Sequence, residues 1–415
     1  MKNNPRRFSK KPIVVGIAAA LSLSLFGASL NNAQAARWEF GDVEVSFDST
    51  FSAGTSIRTE NRNWDDNVAK ANNLNNDFDF SQYSPFANAN PTKYTIWQGA
   101  GGFSSNGDNG NLNYDAGESF SQLIKGSHEL NVQYDNLGVF VRGMYYYDFA
   151  MMDSSRDWTN PVSGMENNPC DDSEAKKQVC ADVRLLDAYF YGDFDLGEMP
   201  LSVRVGQQVI SWGESTLIGH GISEINPVDL SRLKAPGSEL TEAFILFGAV
   251  WGALGVTENF SIEAFYQLEY KETVIDACGS YFSQADYLAE GCDKLVIQPG
   301  PTTYQLAEDP ELHSRGFYAE RGTDENASDS GQFGIAFKYY AEELNATEFG
   351  LYYMNYHSRL PYASAEAGLF NDAKASKAFQ SLRFIIPVKV TRLSSVMVIS
   401  NGKLLVTPFM VTEAT

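Results

Sequence analysis

A chain of 415 residues is long enough for one large barrel or two ordinary domains. Its formal net charge of −21 argues against binding to nucleic acid or to a bare anionic lipid surface. Aromatics make up 13% of the residues, more than a soluble core alone accounts for, and Tyr and Trp rings suit lipid–water boundaries.

Residues 2–11 carry five cations and no acid, residues 13–26 are apolar or small, and Ala33-Gln34-Ala35 is a small-x-small cleavage site. This predicts a secretory signal peptide over residues 1–35. Its removal leaves 26 Lys+Arg against 52 Asp+Glu, a mature charge of about −26. Past Ala35 no stretch reaches the roughly 20 apolar residues of a membrane helix. An exported chain of β-ribbons then reads as an outer-membrane barrel or as a secreted β-protein.

Residues 38–58 predict two strands. The stretch 59–126 reads as a solvated loop rich in Asn, Asp and Gly. Its runs 72–79 and 99–113 offer the oxygens that calcium takes, but no spacing matches a calcium loop and no metal is assigned. Strand side chains alternate between two faces, so each ribbon can be sorted. Leu130, Val132 and Tyr134 oppose Asn131 and Gln133; after Asp135-Asn136, Val139, Val141, Tyr145 and Tyr147 oppose Arg142 and Asp148. This pair predicts a hairpin. Leu186, Ala188 and Phe190 oppose Asp187 and Tyr189, and Leu201, Val203 and Val205 oppose Ser202 and Arg204. Residues 242–256 predict one or two strands. Phe260, Ile262 and Ala264 oppose Ser261 and Glu263, Phe333, Ile335 and Phe337 oppose Lys338, and Phe349, Leu351 and Tyr353 oppose Glu348.

Connections alternate in length. Those at 135–136, 195–200 and 342–346 are tight, while 59–126, 151–181 and 271–330 are long. Short turns on one side and long loops on the other are the outer-membrane arrangement. The four cysteines all follow the leader and meet an oxidising compartment. Spacing favours Cys170 with Cys180 and Cys278 with Cys292, each stapling one long loop. The rival metal site lacks a CxxC pair, and the four histidines lie elsewhere.

Residues 207–242 break the ribbon pattern. Pro227 and Pro236 bar a regular central strand, and Asn226-Pro227-Val228-Asp229 is a turn or helix-entry signal with Pro227 at the first helical position. Irregular backbone in a barrel must avoid lipid, so this segment is either an extracellular loop or an insertion into the lumen. Arg204, Trp212, Glu214, Asp229, Arg232, Lys234 and Glu239 are the candidate lumen or constriction residues. The tail 379–415 departs from what precedes it: residues 381–415 have no Tyr or Trp and one acid, Glu413. Either the reading frame shifts near Phe379, truncating a longer barrel, or the last strand pair is atypical.

The runs Gly206-Gln207, Ile210-Ser211-Trp212-Gly213-Glu214-Ser215, Ile225-Asn226-Pro227-Val228-Asp229 and Pro236-Gly237-Ser238-Glu239-Leu240 carry a resemblance. With the run 350–360, they resemble a proteobacterial outer-membrane family catalogued as domain of unknown function 1302. The resemblance extends from the leader to about Ala367, and implies a Gram-negative outer-membrane barrel over residues 36–378. It also implies traffic of hydrophobic compounds, through the family's association with lipid-exporter and periplasmic carrier genes. Family members run longer, with further strands after this region. No functional residues are carried over.

Enzyme chemistry has little support. His220 lies near Ser215 and Glu214, and His357 adjoins Ser358, but no nucleophile motif such as GxSxG is present. The expected protein is an all-β, antiparallel transmembrane β-barrel of outer-membrane type, with long extracellular loops and a plug-like insertion. It touches outer-membrane lipids, passes a small hydrophobic or amphipathic solute, meets a periplasmic carrier or exporter, and needs no cofactor. The alternative is a surface binding or adhesion protein using the acidic loops. An outer-membrane lipid hydrolase is the third reading.

Overall fold

The computed structural model describes residues 36–69, 73, 75, 100–102, 104, 106–156, 168–212, 222, 225–292, 294–296, 318–344, 346–361, 363–365, 384–385, 391–400 and 403–406. The leader call, Glu214, Ser215, His220 and most of the 72–79 run lie outside the described residues.

The strands are β1 (Ala36–Phe40), β2 (Val43–Ile57), β3 (Ser119–Tyr134), β4 (Leu137–Asp148), β5 (Ala181–Leu196), β6 (Met199–Gln208), β7 (Phe247–Thr257) and β8 (Phe260–Gln267). They continue as β9 (Lys294–Val296), β10 (Tyr318–Glu320), β11 (Phe333–Ala341), β12 (Thr347–Tyr356), β13 (Ser364–Ala365), β14 (Phe384–Ile385), β15 (Thr391–Ser400) and β16 (Lys403–Val406). Twelve of them form one antiparallel sheet in the order β1-β2-β3-β4-β5-β6-β7-β8-β11-β12-β15-β16; β9 with β10 and β13 with β14 form separate two-stranded ribbons. Among the described residues no ladder joins β1 to β16.

Chain neighbours are sheet neighbours throughout, so successive connections must fall at alternate ends of the sheet. The tight ones share one end: Phe40 pairs with Val43, Tyr134 with Leu137, Leu196 with Met199, Thr257 with Phe260, Ala341 with Thr347 and Ser400 with Lys403. Positive φ lets these turns match the strand twist, at Asp135 (52°) and Gly197 (73°). The connections 58–118, 149–180, 209–246, 268–332 and 357–390 share the opposite end.

Registers sort every side chain from β1 to β12 onto one of two faces. All Asp, Glu, Lys and Arg of these ten sheet strands lie on one face, in pairings such as Asp48 with Glu129, Glu129 with Arg142, Arg142 with Asp187, and Ser261 with Lys338. The other face presents Val45, Val132, Val139, Val141, Val203, Val205, Val250, Ala264, Ile335 and Leu351 at mid-height. Its Tyr and Trp residues sit in two belts. Trp38, Tyr134 and Tyr339 lie near the tight-turn end, and Tyr145, Tyr147, Tyr266 and Tyr353 near the long-connection end. Large apolar side chains are exposed on this outer wall, including Phe190 at 68% and Val183 at 82%. The inner face is where side chains are buried, among them Lys125, Asp187, Gln208 and Gln267.

A bulge between Arg142 and Gly143 turns both Leu186 and Asp187 of β5 inward. The sheet is curved: Asp48 of β2 and Trp251 of β7, five strands apart in the order, line one cavity of about 490 Å³.

Two sequence expectations are corrected, the extent of the first long loop and the helix start at Pro227. Residues 119–126, read as loop, are the first half of β3. There Leu123 faces inward, packed in the same cluster as Ala235, while Gln122 faces outward, so the usual alternation is lost. Of the one or two strands expected over residues 242–256 there is one, β7, preceded by the short helix Leu240–Ala243. Pro227 is not the first helical residue; the helix is Leu230–Leu233, and Asp229 caps it by accepting from the amides of Ser231 and Arg232. In the tail, β15 pairs β12 over ten positions and β16 pairs β15.

Both expected cysteine pairs are disulfides: Cys170–Cys180 with Cα atoms 6.0 Å apart, and Cys278–Cys292 at 5.8 Å. The Asn- and Asp-rich segment near residue 110 joins two long connections. Asn113 donates to the Gly279 carbonyl (2.9 Å), and Asp286 accepts from the Asn109 amide (3.3 Å). Burial pushes the Asp286 carboxyl up to about 6, against the bonds from Ser283 and Asn109 that lower it. The unfolded value is about 3.9, so the native loop holds its proton more tightly than the unfolded chain. This stabilisation is fully present below about pH 4 and is lost as pH rises through about 6. Asp286→Asn is therefore expected to flatten that pH dependence and to add about 2–3 kcal/mol at neutral pH. Amide exchange across residues 278–290 as a function of pH checks this.

Candidate functional site: the inward insertion and the chamber beside it

The β6–β7 connection folds onto the inner face rather than away from the sheet. Trp212 is 3% exposed and packs against Phe265 (centroids 5.1 Å apart) and Tyr352 (5.7 Å). The wall has glycine at Gly334 because a Cβ there would lie 2.6 Å from the Trp212 ring. Ile210, Ile222, Ile225, Phe247 and Met354 complete this core. Asn226 ties the segment back on itself, accepting from the Ile210 amide (3.0 Å) and donating to its carbonyl (2.7 Å).

Arg359, 1% exposed, donates to Gln267 Oε1 (2.6 Å) and to the Ile225 carbonyl (3.4 Å), joining the insertion to β8. At the other side Pro236 packs on Gly54 of β2, and Lys125 of β3 pairs with Glu242. The insertion thus touches strands second and tenth in the sheet order.

Its helical turn is held by the two long connections that carry the disulfides, from within the Cys170–Cys180 ring and from the residues just before Cys278. Arg232 donates to the carbonyls of Lys177 (3.3 Å) and Gln178 (2.8 Å), and its guanidinium lies 3.3 Å over the Tyr146 ring. Gln178 donates to Ser231 Oγ (2.9 Å), and Arg184 pairs with Asp229 (3.3 Å). From the second loop, the Val274 carbonyl accepts from the Leu230 amide (2.9 Å), and Asp276 pairs with Lys234. Reducing both disulfides is expected to loosen this grip, each bridge contributing about 2–4 kcal/mol. Faster amide exchange in residues 228–234 after dithiothreitol treatment is the readout.

The sequence candidates therefore divide. Arg204 faces the inner cavity. Trp212, Asp229, Arg232 and Lys234 anchor the insertion by packing and pairing. Glu239 is exposed beside the helix Leu240–Ala243, its amide donating to Glu242 Oε2 (3.2 Å). Lys125, Glu242, Tyr146 and Arg359 were missed. Arg359 was quoted within a motif, but nothing local marks its partner 92 residues away. The Ser358 hydroxyl donates to the Leu360 carbonyl, and burial together with Arg359 lowers the pKa of His357.

The insertion covers the half of the inner face near the long connections. The 490 Å³ cavity lies toward the tight turns, with Asp48, Glu129, Phe140, Tyr191, Arg204 and Trp251 among its lining. A second cavity of about 390 Å³ opens between the insertion and the long connections, beside Glu272, Glu290 and Arg321. Among the described residues no group of three or more His, Cys, Asp and Glu could hold a metal ion.

An all-β protein is thus defined, built on one long antiparallel meander with a packed insertion on its inner face. The chain belongs to the family described as Protein of unknown function (DUF1302), whose model matches residues 16–396. The match runs past Phe379, where the residue pattern changes, and into β15. No curated protein and no solved structure matches the chain.

Proposed function

We propose that this protein is exported and works in the bacterial outer membrane as a plugged β-barrel channel for small hydrophobic or amphipathic solutes. The observation that carries the reading is the placement of every strand Asp, Glu, Lys and Arg from β1 to β12 on the inner face. A soluble sheet of this size would bury its Val, Leu and Phe face; here that face is exposed. Hydrocarbon solvates such a wall, and the Tyr and Trp belts match its two polar boundaries. The five long connections at one end fit the extracellular side, and the tight turns fit the periplasmic side.

In this reading the insertion blocks one half of the lumen and the cavity is the open half. Solute enters along the aromatic inner wall, and charged groups there set its preference. A periplasmic carrier or exporter would meet the tight-turn end. Full-length folded protein reconstituted in planar bilayers tests the proposal. Measurable conductance and solute uptake are expected, and absence of both rules out a pore.

A surface-binding role has one feature in its favour: two of the long connections are stapled by disulfides, which rigidifies a binding surface. Trimming these loops would abolish binding but spare transport.

A further inference from the structure

The inner cavity has its charges sorted across its width. Asp48 of β2 and Glu129 of β3 stand directly opposite each other on one side. Arg204 of β6 stands on the other, with Phe140 of β4 and Tyr191 of β5 between them in strand order. Like charges on directly paired strand positions repel, so Asp48 and Glu129 raise the local demand for a cation.

Arg142 answers it only in part: it lies 2.6 Å from Asp187 and 3.6 Å from Glu129. Asp48 makes no ion pair among the described residues. Asp193, which also lines the cavity, accepts a hydrogen bond from Ser202 (2.5 Å).

Arg204 is held differently. Its guanidinium lies 4.0 Å over the Trp251 ring and 5.6 Å from the Tyr189 ring, and no carboxylate is within ion-pair distance among the described residues. Stacking occupies the face of the guanidinium and the Tyr189 hydroxyl takes part of its edge, which leaves the remaining N–H groups for a planar anion. A purely cationic solute would leave those donors unused, and a purely anionic one would meet Asp48 and Glu129.

We infer that this cavity is a subsite for a zwitterionic amphiphile. Its ammonium sits at Asp48 and Glu129, its carboxylate at Arg204, and its apolar body against Phe140 and Tyr191. The volume of about 490 Å³ suits a molecule of that size. The inference rests on reading the inner face as a lumen, but binding can be measured without conductance.

Calorimetric titration of the folded, detergent-solubilised full-length chain provides the test. The matched probes carry their charges at opposite ends, as strands β3 and β6 stand three spacings apart: 8-aminooctanoate, 8-aminooctanamide (cation only) and octanoate (anion only). 8-Aminooctanoate is expected to bind about tenfold tighter than either, since a hydrogen bond to a charged group supplies that order of selectivity. Arg204→Gln should erase its advantage over the amide, and Asp48→Asn with Glu129→Gln its advantage over octanoate. Arg204→Lys, which keeps the charge, should retain part of the preference. Heat-modifiable gel mobility identifies variants that fold. Equal binding of the three probes, binding of none, or preferences unchanged in folded variants would overturn the inference. If preferential binding is found without conductance, the pore reading fails and the subsite stands.

Discussion

Replacing Lys125 by methionine is expected to destabilise the seated insertion by about 3–5 kcal/mol and, if the proposed channel conducts, to raise its conductance. The Lys125 and Glu242 side chains are only 6% and 9% exposed and form a salt bridge. Removing one partner leaves the other charge buried without a counter-ion, which costs far more than loss of a surface pair. Glu242 Oε2 also accepts the Glu239 amide, so the unpaired carboxylate would sit at the start of the helix that anchors the insertion to β7. A Lys125→Met, Glu242→Met double variant removes both charges and should recover most of the loss. The comparison needs unfolding midpoints and single-channel currents on both variants. Equal damage in the single and double variants would mean that the pair does not seat the insertion.

The second large effect concerns the outer wall. Val141→Arg places a charge at mid-height on the face that carries none, opposite Leu130 and Ala188. In a bilayer this is expected to cost about 2–4 kcal/mol. Ser127→Arg, at a neighbouring inner-face position between Thr50 and Met144, should cost much less. Urea titration of folding into lipid vesicles measures both. If the two substitutions cost the same, lipid does not wet the outer wall.

Much of the sheet was legible because its strands are apolar on one face and polar on the other, and that contrast enforces strict alternation. That is why Val139, Val141 and Tyr145 against Arg142 could be sorted without coordinates. Legibility failed where the insertion packs on the wall. Around Leu123 the inner face becomes apolar, and the contrast that marks a strand disappears. In β15, where Thr391, Leu393 and Ser395 mix polar and apolar types, pairing with β12 has no local signal.

The site was half legible for a related reason. Proline and broken alternation located residues 207–242, and the charge of Arg204 on an otherwise apolar ribbon marked the inner face. Which charges pair is a property of register and bulge. The inward turn of Leu186 beside Asp187, which delivers Asp187 to Arg142, exists only once β4 and β5 are aligned.

One anchor of the insertion occurs in the chain before the wall it rests on. Trp212 emerges between β6 and β7, yet its ring rests on Phe265, Gly334 and Tyr352, all of which follow it. The indole therefore waits for later strands to arrive, and its contacts span up to 140 residues. Assembly must keep the first six strands and this segment competent until β12 is laid down, so a quenched Trp212 marks the end of folding rather than its beginning.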